Sequence, residues 1–133
     1  MDLPPVAPKL DGALGLTLDS ASDGIATLRL DPGDVGVVVE DEREYLHGGT
    51  LATCVDTAAW YAAASASPGD WLVTSLQLDA LRLARREPHR VTARCIRAGR
   101  TRAVVDVAIA SEAEPERVVG VGRVNLARTA TDT

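Results

Sequence analysis

A chain of 133 residues, 46% hydrophobic and 25% charged, fits one globular domain with a sizeable core. Its net charge of −5 argues against a nucleic-acid-binding protein. Cys54 and Cys95 are too few for a disulfide framework, and no apolar run reaches the length of a membrane span. No signal peptide is evident, so the chain reads as soluble and cytoplasmic. Phe is absent, so the core must be built from Val, Leu, Ile and Ala, with both cysteines as inert core thiols.

The predicted elements run as follows. Residues 1–9 are Pro-rich and polar and predict a mobile N-terminal arm. Leu14, Leu16 and Leu18 alternate with small or polar residues, and Ala26, Leu28 and Leu30 alternate again after Ser22-Asp23-Gly24. This predicts a hairpin, ended by Asp31-Pro32-Gly33. Gly36 to Glu44 has an apolar start and an acidic end and reads as a loop or edge segment. Gly49 to Ala66 is Ala-rich, free of internal Gly and Pro, and stopped by Pro68-Gly69, which predicts a long helix. Its apolar character almost all round predicts that other structure wraps it.

Four strands should follow. The first is Trp71 to Ala84, with a bulge near Asp79-Ala80 where the apolar phase shifts. Next come Val91 to Ala98, then Thr101 to Ser111 with Ala103, Val105, Val107 and Ile109 on one face, then Val118 to Leu126. Arg128 to Thr133 reads as a frayed tail, with 129–133 as the part beyond the domain's last strand. The whole, residues 1–133, is one α+β domain with an antiparallel sheet around one long central helix.

The functional signal lies in that helix. Between Glu44 and Asp70 the one formal charge is Asp56. A carboxylate among apolar residues is costly to bury unless it is paired or used, so Asp56 is a candidate nucleophile or general base. The bland alternative is a structural acid bonded to the backbone or Thr57. His47-Gly48-Gly49 precedes the helix, where backbone N–H groups lack partners and the dipole is positive. Gly48 and Gly49 let a carbonyl oxygen approach that backbone, and an oxyanion would be stabilised there. His47 either donates a hydrogen bond nearby or fixes the turn. Asp56 lies roughly 12 Å along the axis from Gly48, at about 1.5 Å per residue. One side chain cannot span that, so a shared substrate requires the acid of a second chain and hence a dimer.

Charge is unevenly spread. The first half is acidic, whereas Arg82 to Arg102 is basic, which suggests a small anionic ligand or, more plainly, a solvated strand face. Trp60 lies one turn after Asp56 and suits core or dimer packing, or, with Tyr61, the border of an acyl pocket. No residue cluster has metal-ligand spacing.

His47-Gly48-Gly49, the nine-residue step from His47 to Asp56, and Val73-Thr74-Ser75-Leu76-Gln77-Leu78 together resemble the hotdog-fold acyl-CoA thioesterases. The nearest subgroup is the phenylacetate-pathway (PaaI-type) and 4-hydroxybenzoyl-CoA type. The resemblance covers residues 10–128 and implies hydrolysis of an acyl- or aryl-CoA ester by a homodimer or dimer of dimers. It needs no metal or redox cofactor, coenzyme A being part of the substrate. It implies that the Gly48 N–H polarises the thioester carbonyl, with Gly49 beside it, and that Asp56 of the partner subunit is the nucleophile or base. It further implies that Thr74 positions water, and that Arg82, Arg85, Arg86, Arg97 and Arg100 meet the phosphates of coenzyme A. Members usually carry Asn or Gln six residues before the His, where this chain has Asp41. A carboxylate there repels an oxyanion unless it is protonated or turned away. A non-catalytic acyl-CoA binder is the alternative from another class, and a hydratase or dehydratase of enoyl thioesters ranks last.

Overall fold

The computed structural model describes residues 3–129. Two helices and eight strands follow one another: α1 (Pro8–Leu14), β1 (Leu16–Ser22), β2 (Ile25–Leu30), β3 (Val37–Glu40), β4 (Arg43–Leu46), α2 (Gly48–Ala66), β5 (Trp71–Ala80), β6 (His89–Ala98), β7 (Arg102–Ser111) and β8 (Val118–Arg128). Six strands form one antiparallel sheet in the order β1-β2-β6-β7-β8-β5, and β3 pairs with β4 alone. The sheet curls around α2, which packs on β2, β5, β6 and β7. This is the expected hotdog arrangement, and β5 is left as a free sheet edge.

Small residues let the helix and sheet approach closely. Ala58, Ala59, Ala62 and Ala63 of α2 are fully buried against Leu28, Val91, Val105, Ile109, Val124 and Leu126. On β7 the predicted face of Ala103, Val105, Val107 and Ile109 is buried throughout, and Ser111 extends it. Each large aliphatic side chain buried there contributes about 1.5–3 kcal/mol. The β1–β2 turn falls at Asp23-Gly24, both with positive φ, as a two-residue hairpin turn requires.

Several expectations are corrected. Residues 36–44 are no loop. Val37–Glu40 and Arg43–Leu46 form a hairpin whose turn, Asp41-Glu42, holds two non-glycine residues at φ 49° and 67°. β5 ends at Ala80, just before Leu81 N–H makes a last bond to Val119 O of β8, and its register shift lies between Val73 and Ser75, not at Asp79-Ala80. The first nine residues are not a free arm over their described part. Pro8 and Lys9 start α1, Leu3 and Val6 pack on the core, and the Val6 N–H donates to the Tyr61 hydroxyl at 3.3 Å. Leu14 therefore ends a helix instead of opening a strand, and Gly15 at φ 84° closes it with a left-handed cap. Arg128 is held by bonds to Arg100 O and Pro68 O and lies over the Trp71 ring at 4.2 Å, while Thr129 N–H reaches Asp70 O. Residues 130–133 of the expected tail lie outside the described residues.

Candidate active site

The start of α2 is built by its neighbours. His47 is the N-cap, and its Nδ1 accepts the Gly49 N–H at 2.8 Å. Thr50 N–H returns to His47 O at 2.9 Å, while Gly36 O accepts both His47 N–H and the Thr50 hydroxyl. Gly36 itself sits at φ 82°, and a Cβ there would strike Thr50 Oγ1 at 2.3 Å. The backbone N–H of Gly48 has no partner among the described residues, and a Cβ on Gly48 would meet nothing within 4 Å. One exposed donor is thus left free at the positive end of a 19-residue helix. His47 shapes the turn, and Gly49 spends its own donor on His47. A Cβ at 49 would stand 3.0 Å from His47 Nδ1 and crowd the cap.

Asp56 lies two turns further on, half-buried. It opens on a cleft of about 290 Å³ lined by Val6, Ala7 and Leu10 from the N-terminal segment, Ala52, Thr53 and Thr57 from α2, and Leu76 from β5. No cation pairs with it among the described residues. Burial, and then the carboxylate of Asp11, push its pKa above the usual carboxylate value. Such a carboxylate is a better base than a solvated one.

Asp11 was missed by sequence reasoning. It sits on α1, only 8% exposed, and accepts the Thr57 hydroxyl at 3.4 Å. Its pKa too is raised by burial, against hydrogen bonds from the Ala7 backbone and Thr57. It lies between the segment read as a free arm, residues 1–9, and the alternation that opens at Leu14, in a stretch assigned to no element. Cys54, fully buried on α2, has its thiol pushed up to about 12 by burial and by Asp11, so it is inert.

Other candidates fall elsewhere. Thr74 sits at the β5 bulge with its hydroxyl donating to Asn125 O at 3.0 Å, and it does not line the Asp56 cleft of its own chain. Trp60 does not line it either. Its indole N–H donates to Trp71 O at 3.0 Å and its ring meets Tyr61 edge-on at 5.7 Å, which is packing between α2 and β5. Asp41 occupies the β3–β4 turn, with all of β4 between it and His47.

The arginines do not form one band. Arg85 and Arg86 line a cleft of about 600 Å³ together with Arg43 and Arg117, which the sequence reading did not single out. Arg86 is tied to Asp34 at 2.8 Å and to Glu44, and these carboxylates raise its pKa. Arg82 and Arg85 are exposed and make no ion pair among the described residues. Arg97 and Arg100 lie at the other end of β6, roughly 30 Å away along a strand rising about 3.3 Å per residue.

No helix is long and apolar enough to cross a membrane. Against known solved structures the fold is widely matched. The PaaI protein of the E. coli phenylacetic acid degradation operon superposes with TM-score 0.79 at 23% identity, over 92% of this chain and 85% of its own. A hypothetical thioesterase of Streptococcus pneumoniae, solved with coenzyme A, gives 0.77 at 19%, over 90% of each chain. A Streptococcus mutans protein bound to acetyl CoA gives 0.75 at 19%, over 86% of this chain and 89% of its own. At these identities the likeness is one of fold. No curated protein matches. The family model described as the thioesterase superfamily matches residues 43–118, which is more than half of the sequence and runs from β4 through α2 to the start of β8. By that match the chain belongs to the thioesterase superfamily, and its fold is of the PaaI type.

Proposed function

We propose that the protein is a thioesterase that hydrolyses an acyl- or aryl-CoA ester to the acid and free coenzyme A, with each active site shared between two copies. The observation that carries this is the pairing on one helix of a free Gly48 N–H with a half-buried, cation-free Asp56 too far along to serve it. The thioester carbonyl oxygen takes the Gly48 N–H. Asp56 of the partner subunit removes a proton from water as the water oxygen bonds to the carbonyl carbon. The oxyanion that forms is held by Gly48 and the helix dipole. Its collapse breaks the C–S bond, and the coenzyme A thiolate leaves and is protonated. Direct attack by the Asp56 carboxylate through an anhydride is the other route to the same products. The free edge of β5, whose Leu76 borders the Asp56 cleft, supports a second copy docking there.

His47 orients Gly48 and Gly49, and Thr74 would assist from the partner's β5. The cleft holding Arg85 suits the coenzyme A phosphates, because guanidinium forks match phosphate oxygens. No metal or redox group enters this chemistry. Release of free thiol from phenylacetyl-, benzoyl- and hexanoyl-CoA tests the reading. Asp56→Asn should lower turnover at least about a hundredfold while the fold survives. An equally active, folded Asp56→Asn protein would refute it. Asp41 at the position where relatives carry an amide favours one other reading, a non-catalytic binder. That protein would retain coenzyme A esters and release no thiol.

A further inference from the structure

The N-terminal segment does more than cover α2. It separates two clefts that share Thr57. One, of about 290 Å³, holds Asp56; the other, of about 330 Å³, holds Asp11 with Leu3, Leu28 and Tyr61. Asp11 is thus buried behind the helix turn that carries Asp56, tied to the residue next to it in sequence. Neither acid has a cation among the described residues. Lys9, the one basic residue of α1, is exposed and makes no ion pair among them. The other titratable groups around the pair are the inert Cys54 thiol and the Tyr61 phenol, whose oxygen accepts the Val6 N–H. β5 brings only Leu76, and β1 and β2 bring only Leu16, Thr17, Leu18 and Leu28. A buried carboxylate that no cation compensates destabilises the fold, so packing gives no reason for it.

We propose that Asp11 is a positioning residue for the reaction, a buried carboxylate behind Asp56 whose negative charge favours proton uptake by Asp56 from the attacking water. This role rests on the proposed function, with Asp56 as the base. Two like charges held close in a partly dry site titrate as a pair, and each makes the other more basic. Burial and then the Asp11 carboxylate raise the Asp56 pKa, while burial raises that of Asp11.

The test is the pH profile of kcat/KM for thiol release by the full chain. It compares the wild type with Asp11→Asn, which keeps shape and hydrogen bonding, and with Asp11→Glu, which keeps charge. Asp11→Asn should move the acid limb to lower pH and, since a weaker base is a poorer catalyst, lower the plateau kcat about two- to tenfold with KM little changed. Asp11→Glu should restore the limb. An acid limb in Asp11→Asn that coincides with the wild type overturns the proposal, while loss of turnover in Asp56→Asn would still stand. Carbon-13 titration of the Asp56 carboxyl tests the same coupling without turnover. Its curve should move to lower pH in Asp11→Asn and carry two inflections in the wild type, whereas a single-inflection wild-type curve overturns the coupling.

Discussion

Gly122 lies on β8 where the sheet meets α2, and Gly122→Ala should loosen that contact in a calculable way. A Cβ at 122 would stand 2.9 Å from Val55 Cγ1 and 2.9 Å from Gln77 O. Neither neighbour yields easily. Gln77 is the β5 partner of Arg123 in the β5–β8 ladder, and Val55 is fully buried with a β-branched side chain that a helix holds in one rotamer. Overpacking of this kind costs about 1–3 kcal/mol. At about 2.1 cal/mol/K per residue, a chain of this length loses roughly 3–4 °C of Tm per kcal/mol, so a fall of about 4–11 °C is expected. Gly120, two residues earlier on the same strand, is the control. A Cβ there meets Leu78 Cδ1 at 3.4 Å and Asp79 O at 3.6 Å, ordinary contacts. Gly120→Ala should therefore leave Tm unchanged or raise it slightly, since alanine restricts the unfolded chain. Val55 precedes Asp56, so displacement of α2 should also reduce kcat in Gly122→Ala. Differential scanning calorimetry of the two variants decides the matter. Equal Tm values for the pair would refute the close approach of helix and sheet.

Three further outcomes follow from the site and its surroundings. Gly48→Ala has open space for its Cβ and should hold its stability within about 0.5 kcal/mol, yet crowd the carbonyl and lower kcat/KM about tenfold or more; unchanged kinetics would remove Gly48 from the site. His89 is wholly buried, with Nδ1 2.7 Å from Glu87 O and Nε2 without a partner among the described residues, and burial lowers its pKa from the ordinary 6.5. The unfolded chain then binds the proton more tightly, so stability present at neutral pH is lost as pH falls below about 6.5, and His89→Leu should flatten that acid dependence of Tm. Asp11 has the opposite sign. Its raised pKa means that stability is full below the ordinary carboxylate range and lost as pH rises through the folded value, so Asp11→Asn should unfold at higher denaturant than the wild type at neutral pH but not in acid.

Periodicity exposed the helix and the strands that wrap it because both patterns are long. The helix ends just before Pro68-Gly69, and the alternation on β7 holds for its full length. What failed was local and had tertiary causes. The Asp41-Glu42 turn needs positive φ at two residues, and with no Gly or Asn there the hairpin carried no turn signature. The bulge at Thr74 is set by pairing with Asn125, a residue some fifty positions away, and leaves no mark in β5 itself. Asp56 stood out as the one charge in an apolar run. Asp11 did not, because a carboxylate among Pro, Lys and Gly looks solvated until Thr57 and Leu28 are folded against it.

The division of the arginines gives the sharpest test of where the coenzyme A phosphates go. The segment after β5 is bound to the strand that leads into His47. Leu46 N–H donates to Ala84 O at 2.8 Å, Arg86 N–H to Glu44 O at 3.2 Å, and Tyr45 bridges Arg85. The cleft lined by Arg43, Arg85 and Arg117 therefore lies along β4, the strand that leads into the start of α2, where the carbonyl would sit. Arg86 already serves Asp34 and Glu44, so it has little to offer a ligand, and its loss should act through stability instead. Arg85→Ala and Arg117→Ala should each raise KM for a CoA ester by about three- to tenfold with kcat held, an effect that fades with salt because the site is open to solvent. Arg97→Ala and Arg100→Ala, at the far end of β6, should leave KM unchanged unless the partner subunit brings that end to the same substrate. A KM raised by Arg97→Ala and untouched by Arg85→Ala would move the phosphates across the dimer, and with them the direction in which the substrate enters.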